Sequence, residues 1–156
     1  MVDVETLGTA ADSVIMSIGA VRFDLDSDKM DDAGFYRSIS IESNLDYKRR
    51  VQEDTLIWWL GQSPAAQAVF HEPKETLQTA LCEFSDWLGH QIIVDVPWKF
   101  WNSRCARTYK NLPQARNVSV PRIGTHHNAL ADAIYQAQLM QAIQREVTGK
   151  DKKVKA

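Results

Sequence analysis

The chain opens with strand-like alternation. Val2 to Thr6 alternates apolar with acidic residues, which predicts a short strand. Two β-rich runs follow, Ser13 to Asp24 and Gly34 to Ile41, with the polar, acidic stretch Leu25–Asp32 between them. Because a polar turn between two such runs is typical of antiparallel strands, the pattern predicts a hairpin or meander.

Helix signals dominate the middle of the chain. Asp54 or Thr55 is predicted to cap a helix that holds the apolar run 56–60, and Ser63-Pro64 to begin another. Trp58 and Trp59 fall on different sides of the first of these helices, so one is expected in the core and the other at the edge of a cleft.

Two longer helices are predicted from apolar residues spaced three and four apart. The first runs from Lys74 to Leu88 and ends at Gly89, with the apolar stripe Leu77, Leu81, Phe84, Trp87 and Leu88. The second runs from about Asn128 to Val147, with the apolar stripe Leu130, Ala133, Ile134, Ala137, Met140 and Ile143.

The region between the long helices has three parts. Gln91–Val96 predicts a buried strand, Trp98–Tyr109 mixes aromatic with basic residues, and 111–123 predicts an irregular loop bounded by prolines.

Strands first and helices later, with a parallel crossover, predict an α/β or α+β fold. We expect a single domain over 1–147 and a polar, basic tail over 148–156.

Composition narrows the class of protein. A chain of 156 residues with 44% hydrophobic side chains is long enough for one soluble domain with its own core. It has no apolar run near the roughly 20 residues of a membrane span, and acidic residues stand where a secretory leader would be basic. Cys82 and Cys105 are too few for a zinc or disulfide scaffold, so we expect buried or incidental thiols and a cytoplasmic protein.

Charge is divided unevenly along the chain. Residues 1–95 carry 17 acidic and 7 basic side chains, a net −10, whereas residues 96–156 carry 3 acidic and 11 basic ones, a net +8. This asymmetry indicates an anionic partner for the second part and a cation site in the first. The alternative is that two solvated faces balance each other.

Two small clusters carry candidate chemistry. Asp3 and Glu5 lie two apart on a strand, so both carboxylates leave the same face, where they suit a divalent cation or a metal pair. His127 lies just before a helix and Asp132 five residues later, which suits a proton acceptor beside another oxygen ligand. Taken separately, they are more readily explained as an ordinary strand, a capping histidine and a surface aspartate.

Together, the Asp-x-Glu-Thr opening and the late His-x4-Asp resemble the DEDDh family of 3′–5′ exonucleases, which has a ribonuclease-H-like fold with a mixed sheet flanked by helices. Further matches make the chain similar to a bacterial and phage branch of that family, from Val2 to about Arg145. They are Ser17-Ile18-Gly19-Ala20, Trp58-Trp59, Pro97-Trp98-Lys99-Phe100-Trp101 and Arg104-x-x-Arg107-Thr108.

The resemblance implies a site and a mechanism. Asp3, Glu5 and Asp132 would hold two Mg²⁺ or Mn²⁺ ions, and His127 would deprotonate the attacking water. Thr6 and Leu7 would contact the terminal nucleotide through their backbone. Arg104 and Arg107 are candidates for phosphate contacts, because guanidinium groups pair with phosphate oxygens. The neighbouring aromatic residues Trp98, Phe100 and Trp101 are expected to be core or, alternatively, to stack bases.

One family element is absent from the sequence. The motif that carries the fourth acidic residue has no counterpart between Trp87 and Trp98, and Asp95 does not match it by position. Loss of one carboxylate should weaken the second metal most. Loss of the associated helix would uncover apolar surface for repacking or a homodimer.

Two functions therefore remain open from the sequence. The first is a metal-dependent exonuclease acting on single-stranded or overhanging 3′ ends of RNA or DNA. The second is a catalytically impaired relative that binds nucleic acid or another partner.

Overall fold

A computed structural model describes residues 1–89 and 105–149 of the chain. The described residues form three strands, six α-helices and two short 3₁₀ segments, 68–70 and 113–115. The strands are β1 (Val2–Thr6), β2 (Ile15–Ala20) and β3 (Phe35–Ser38); the helices are α1 (Ile41–Leu45), α2 (Glu53–Leu60), α3 (Pro64–Gln67), α4 (Leu77–Leu88), α5 (Ala106–Lys110) and α6 (Ala129–Thr148).

The three strands form an antiparallel sheet in the order β1-β2-β3. The α/β class is confirmed, as is the hairpin or meander predicted for the first forty residues. Asp3 pairs with Gly19 and Glu5 with Ser17, so these four positions lie on the same face of the sheet. The parallel crossover stays a prediction, and the buried strand predicted over Gln91–Val96 lies outside the described residues.

Helix α6 covers the sheet face that carries the two carboxylates. Its first turn crosses β2 at Gly19, where an added Cβ would lie 2.1 Å from the backbone of Ala129 and Leu130. Farther along, Ala133 and Ala137 are fully buried against Val21. Small residues on both elements therefore bring the helix close to the sheet.

Helix α4 packs on the opposite face. Leu77 and Ala80 are buried together with residues of β2 and β3, and the rings of Phe84 and Trp87 lie partly buried beside Phe35. The C-cap Gly89 has φ of 104°, a left-handed conformation that suits glycine, as expected for a helix end. Leu81, placed on the apolar stripe by its spacing, is instead 40% exposed.

A further part of the core joins the chain after β1 to α2 and α3. Leu7, Trp59 and Val69 are buried there. The Trp59 indole N–H donates a hydrogen bond of 2.9 Å to the backbone oxygen of Thr6, which fixes α2 beside the end of β1. Trp58, on the other side of the helix, is 46% exposed, so the predicted division between the two tryptophans is confirmed.

Several element boundaries differ from the predictions. Helix α2 begins two or three residues early, with Gln52 rather than Asp54 or Thr55 at its N-cap, because acidic residues already favour the first turn of a helix. Helix α4 begins at Leu77 after the side-chain cap Thr76, instead of at Lys74. Helix α1 begins at Ile41, the last residue of the run predicted as strand, because the Ser40 hydroxyl accepts a hydrogen bond from the Ser43 backbone N–H.

The C-terminal part is built around α6, which begins after the side-chain cap Asn128 and extends to Thr148, one residue past the predicted domain boundary. Helix α5 packs against its C-terminal half, where Leu139, Met140 and Ile143 are buried. No described helix combines the length and apolar character needed to cross a bilayer. Both cysteines are exposed, so the first of the two expectations, buried thiols, is wrong, and the second, incidental thiols, is compatible with the structure.

Candidate active site

Three carboxylates converge where β1 meets the start of α6. Asp3 and Glu5 project from β1, and Asp132 lies in the first turn of α6, three residues after the crossing over Gly19. One carboxylate oxygen from each lies within 4.8 Å of the others. Residues almost 130 positions apart therefore share one small volume.

Burial makes this cluster electrostatically costly. Glu5 is only 9% exposed, and burial together with the adjacent Asp3 raises the pKa of its carboxyl from the usual 4.5 to about 7, against the opposing effect of Arg122. Burial likewise raises the pKa of Asp3, partly offset by Gln136 and Arg122. Asp132 Oδ1 is buried as well, and the Arg122 guanidinium is its ion-pair partner. Crowded, under-solvated carboxylate oxygens of this kind fit a hard divalent cation.

Two other residues neutralise or orient the carboxylates. Arg122, on the segment before α6, pairs with Asp132 Oδ1, and its guanidinium lies 4.6 Å from the centre of the Tyr135 ring. Gln136, one turn after Asp132, donates from Nε2 to Asp3 Oδ1 at 2.7 Å. The Gln136 bond joins α6 to β1, and the Arg122 pair neutralises Asp132.

His127 lies at the rim of the same cluster. Its φ of 61° is left-handed, a conformation that histidine adopts more readily than most residues, and it turns the chain into the Asn128 cap of α6. The Trp58 ring meets the imidazole nearly edge-on, with centroids 4.9 Å apart. Burial, followed by the charges of His126 and Arg122, lowers the pKa of His127. Its imidazole is therefore neutral at pH 7 and able to accept a proton.

Four of the predicted site residues, Asp3, Glu5, Asp132 and His127, lie close together in the structure. The three carboxylates form one cluster, and Asp132 also belongs to a second cluster, in which ligand atoms of His126, His127 and Asp132 lie within 4.8 Å of one another. Their catalytic and metal-binding roles stay predictions.

The predicted substrate-binding residues lie elsewhere or are otherwise engaged. Arg107 is exposed on α5, which packs on the far half of α6, and Arg104 lies outside the described residues, together with Asp95 and Trp98–Trp101. The Leu7 side chain is buried core; its N–H donates to the Val14 oxygen and its oxygen accepts from the Gln52 N–H. Contact of Thr6 and Leu7 with a terminal nucleotide stays a prediction.

The sequence reasoning missed the roles of Arg122 and Gln136. Gln136 was detectable in principle, because it lies four residues after Asp132 and therefore on the same face of α6. Arg122 gave no local signal, since its pairing with Asp132 depends on the path of an irregular segment.

Comparison with known proteins identifies a family. A model of the 3′–5′ exoribonuclease Rv2179c-like domain matches residues 1–95 and 90–144, which together span most of the chain and include all four clustered residues. No match was found among curated proteins, and none among solved structures. On the strength of the family match, the chain belongs to the Rv2179c-like 3′–5′ exoribonuclease domain family.

Proposed function

We propose that this protein is a metal-dependent 3′–5′ exonuclease of the DEDDh type that shortens single-stranded or overhanging nucleic acid from the 3′ end. The observation that carries the proposal is the convergence of Asp3, Glu5 and Asp132, with oxygens within 4.8 Å of one another, beside a neutral His127. Family membership independently supports nuclease chemistry on a nucleic-acid substrate.

In this proposal Asp3, Glu5 and Asp132 hold Mg²⁺ or Mn²⁺. When bound, the metal supplies charge stabilisation for the scissile phosphate and lowers the pKa of a water molecule. Three carboxylates match one hard cation well, whereas a second ion would have less negative charge to hold it. The missing fourth acidic residue therefore predicts one tight and one weak site.

The chain's own residues then divide the remaining tasks. His127 accepts the proton of the attacking water at an unprotonated imidazole nitrogen, and Trp58 limits the rotation of that ring. Gln136 fixes the orientation of the Asp3 carboxylate by its hydrogen bond. The family's exoribonuclease description favours RNA over DNA, and Arg104 and Arg107 are proposed to hold phosphates upstream of the 3′ end.

The test is digestion of a 5′-labelled single-stranded RNA in Mg²⁺, with a DNA of the same sequence in parallel. The wild type should give a ladder that shortens from the 3′ end and should require the metal. His127→Ala should lose about 10²- to 10⁴-fold in rate, as for other general bases. Asp132→Asn should lose both activity and metal binding, while Asp46→Asn, at an exposed aspartate on the C-cap of α1, should change neither.

A wild type that binds RNA but gives no ladder in Mg²⁺ or Mn²⁺ would contradict the proposal and favour the impaired, nucleic-acid-binding alternative.

A homodimer also stays a prediction, which light scattering of the purified protein would test.

A further inference from the structure

His126 has no part in the mechanism proposed above, although it lies at the site. It is exposed, and its ring centroid is 4.2 Å from that of His127. Consecutive side chains in regular structure point in clearly different directions. Here the left-handed φ of His127 turns the backbone between them, so both imidazoles lie on the same side as Asp132.

We propose that His126, His127 and Asp132 form a second cation site, selective for borderline metals such as Zn²⁺, which overlaps the carboxylate site and inhibits it. Two imidazoles and one carboxylate are a common ligand set for zinc, whereas all-oxygen sites suit Mg²⁺ and Mn²⁺. The inhibition rests on the nuclease function proposed above, but the binding site itself does not.

The geometry permits coordination after a small adjustment. One ligand atom from each of the three residues lies within 4.8 Å of the others. Tetrahedral donors about 2 Å from zinc lie about 3.3 Å apart, so coordination requires the exposed His126 ring to turn toward its partners. A water molecule would complete the four ligands. The Arg122 guanidinium, which pairs with Asp132, has to move aside for either metal.

Overlap of the two sites has a direct consequence for the reaction. Zinc at this position would take the lone pair of His127 that accepts the proton, and would share Asp132 with the catalytic metal. Binding at one site therefore opposes binding at the other, so excess Mg²⁺ should displace zinc competitively. Zinc would act as an inhibitor even though it is a divalent cation.

The experiment uses Co²⁺ as a spectroscopic probe for zinc, because tetrahedral cobalt absorbs visible light far more strongly than octahedral cobalt does. The wild type should develop the intense band, and Zn²⁺ should abolish it. His126→Gln should weaken Co²⁺ and Zn²⁺ binding by about tenfold or more, and leave Mg²⁺ binding unchanged. His71→Gln is the matched control, because this exposed histidine is far from His126 in the sequence. It should bind Co²⁺ and Zn²⁺ like the wild type.

Activity gives a second, separable readout. Zn²⁺ should inhibit Mg²⁺-dependent digestion by the wild type, and His126→Gln should need about tenfold more zinc for the same inhibition. Equal zinc affinity in the wild type and His126→Gln would overturn the proposal, whether or not the protein is a nuclease. A His126-dependent cobalt band in a protein without nuclease activity would support the metal site and reject the nuclease function instead.

Discussion

Glu5 carries its charge where burial and a neighbouring carboxylate both oppose ionisation. Its pKa of about 7 means that, between about pH 4.5 and 7, the folded protein holds a proton that the unfolded chain has released. The free energy of unfolding therefore falls as the pH rises through this window, and the full cost remains at higher pH. The ionised Glu5 carboxylate therefore lowers the stability of the metal-free protein, and the same negative charge favours a bound cation.

Replacement of Glu5 by Gln should stabilise the metal-free protein at pH 8 by about 1–3 kcal/mol, because a neutral amide avoids that cost. The gain should disappear below pH 4.5, where the wild-type carboxyl is protonated. Denaturant unfolding in EDTA across this pH range measures both effects. Glu75→Gln, at an exposed position, is the control and should show neither; a Glu5→Gln protein less stable than the wild type at pH 8 would refute the electrostatic account.

Arg122 is the cation that the fold itself supplies to the cluster. Since it pairs with Asp132 and partly offsets the rise in the pKa of Asp3 and Glu5, it competes with any metal for the same negative charge.

We expect Arg122→Gln to bind Mg²⁺ or Mn²⁺ about tenfold more tightly, equivalent to about 1.4 kcal/mol. Isothermal titration calorimetry with each metal measures the change. Arg116→Gln removes an exposed charge from the same segment and should leave the affinity unaltered. Weaker metal binding by Arg122→Gln would instead make Arg122 a support of the metal site.

At the scale of elements, the site depends on how closely α6 approaches the sheet. The crossing at Gly19 has no room for a side chain, and the Asn128 cap fixes where the helix begins, with its Oδ1 accepting from the Ala131 N–H at 3.0 Å. Together these features determine the height of Asp132 above Asp3 and Glu5. The close approach of α6 to the sheet therefore helps to place Asp132 beside Asp3 and Glu5.

Gly19→Ala should push α6 away from β2 and lower the free energy of unfolding by about 3 kcal/mol, as in the more severe cases of overpacking. The same change should reduce metal-induced stabilisation in whatever fraction folds, because Asp132 moves with the helix. Thermal unfolding with and without Mg²⁺ separates these effects. Gly61→Ala is the matched control, because an added Cβ there meets only the Trp58 oxygen at 3.4 Å and φ is an ordinary −86°.

At the scale of the whole molecule, charge is separated along the chain. The acidic first part contributes two of the three clustered carboxylates, whereas Arg107, Lys110 and Arg116 lie exposed on and after α5. A strand held at the carboxylate cluster would have its phosphates available to such cations. Because α5 packs on the C-terminal half of α6, this basic surface and the cluster lie at different points along the same helix.

The affinity for single-stranded RNA should therefore fall steeply with salt. Each phosphate contact contributes about −0.7 to the slope of log affinity against log salt, so Arg107→Gln with Lys110→Gln should make the slope shallower by about 1.4. Fluorescence anisotropy with an inactive His127→Ala background avoids digestion. Lys48→Gln, an exposed lysine in the acidic part, should leave the slope unchanged, and an unchanged slope in the double variant would exclude this surface.

Local sequence determined much of this protein. The alternation over Val2–Thr6 placed Asp3 and Glu5 on one face, the Ser63-Pro64 pair began α3, and the Asn128 cap and apolar spacing located α6. These features follow from backbone periods and capping bonds that span only a few residues. The resemblance then added what no single segment contains, a reason to expect the early carboxylates near Asp132.

The tertiary structure decided the contacts between distant segments. Register in the sheet put Gly19 under α6, the path of an irregular segment put Arg122 on Asp132, and the packing of α2 put Trp58 against His127. Asn44 shows the same point in the core: it is fully buried, and its amide pairs with both backbone groups of Ile15. Such contacts depend on the relative placement of whole elements, which the spacing of residues along one segment does not encode.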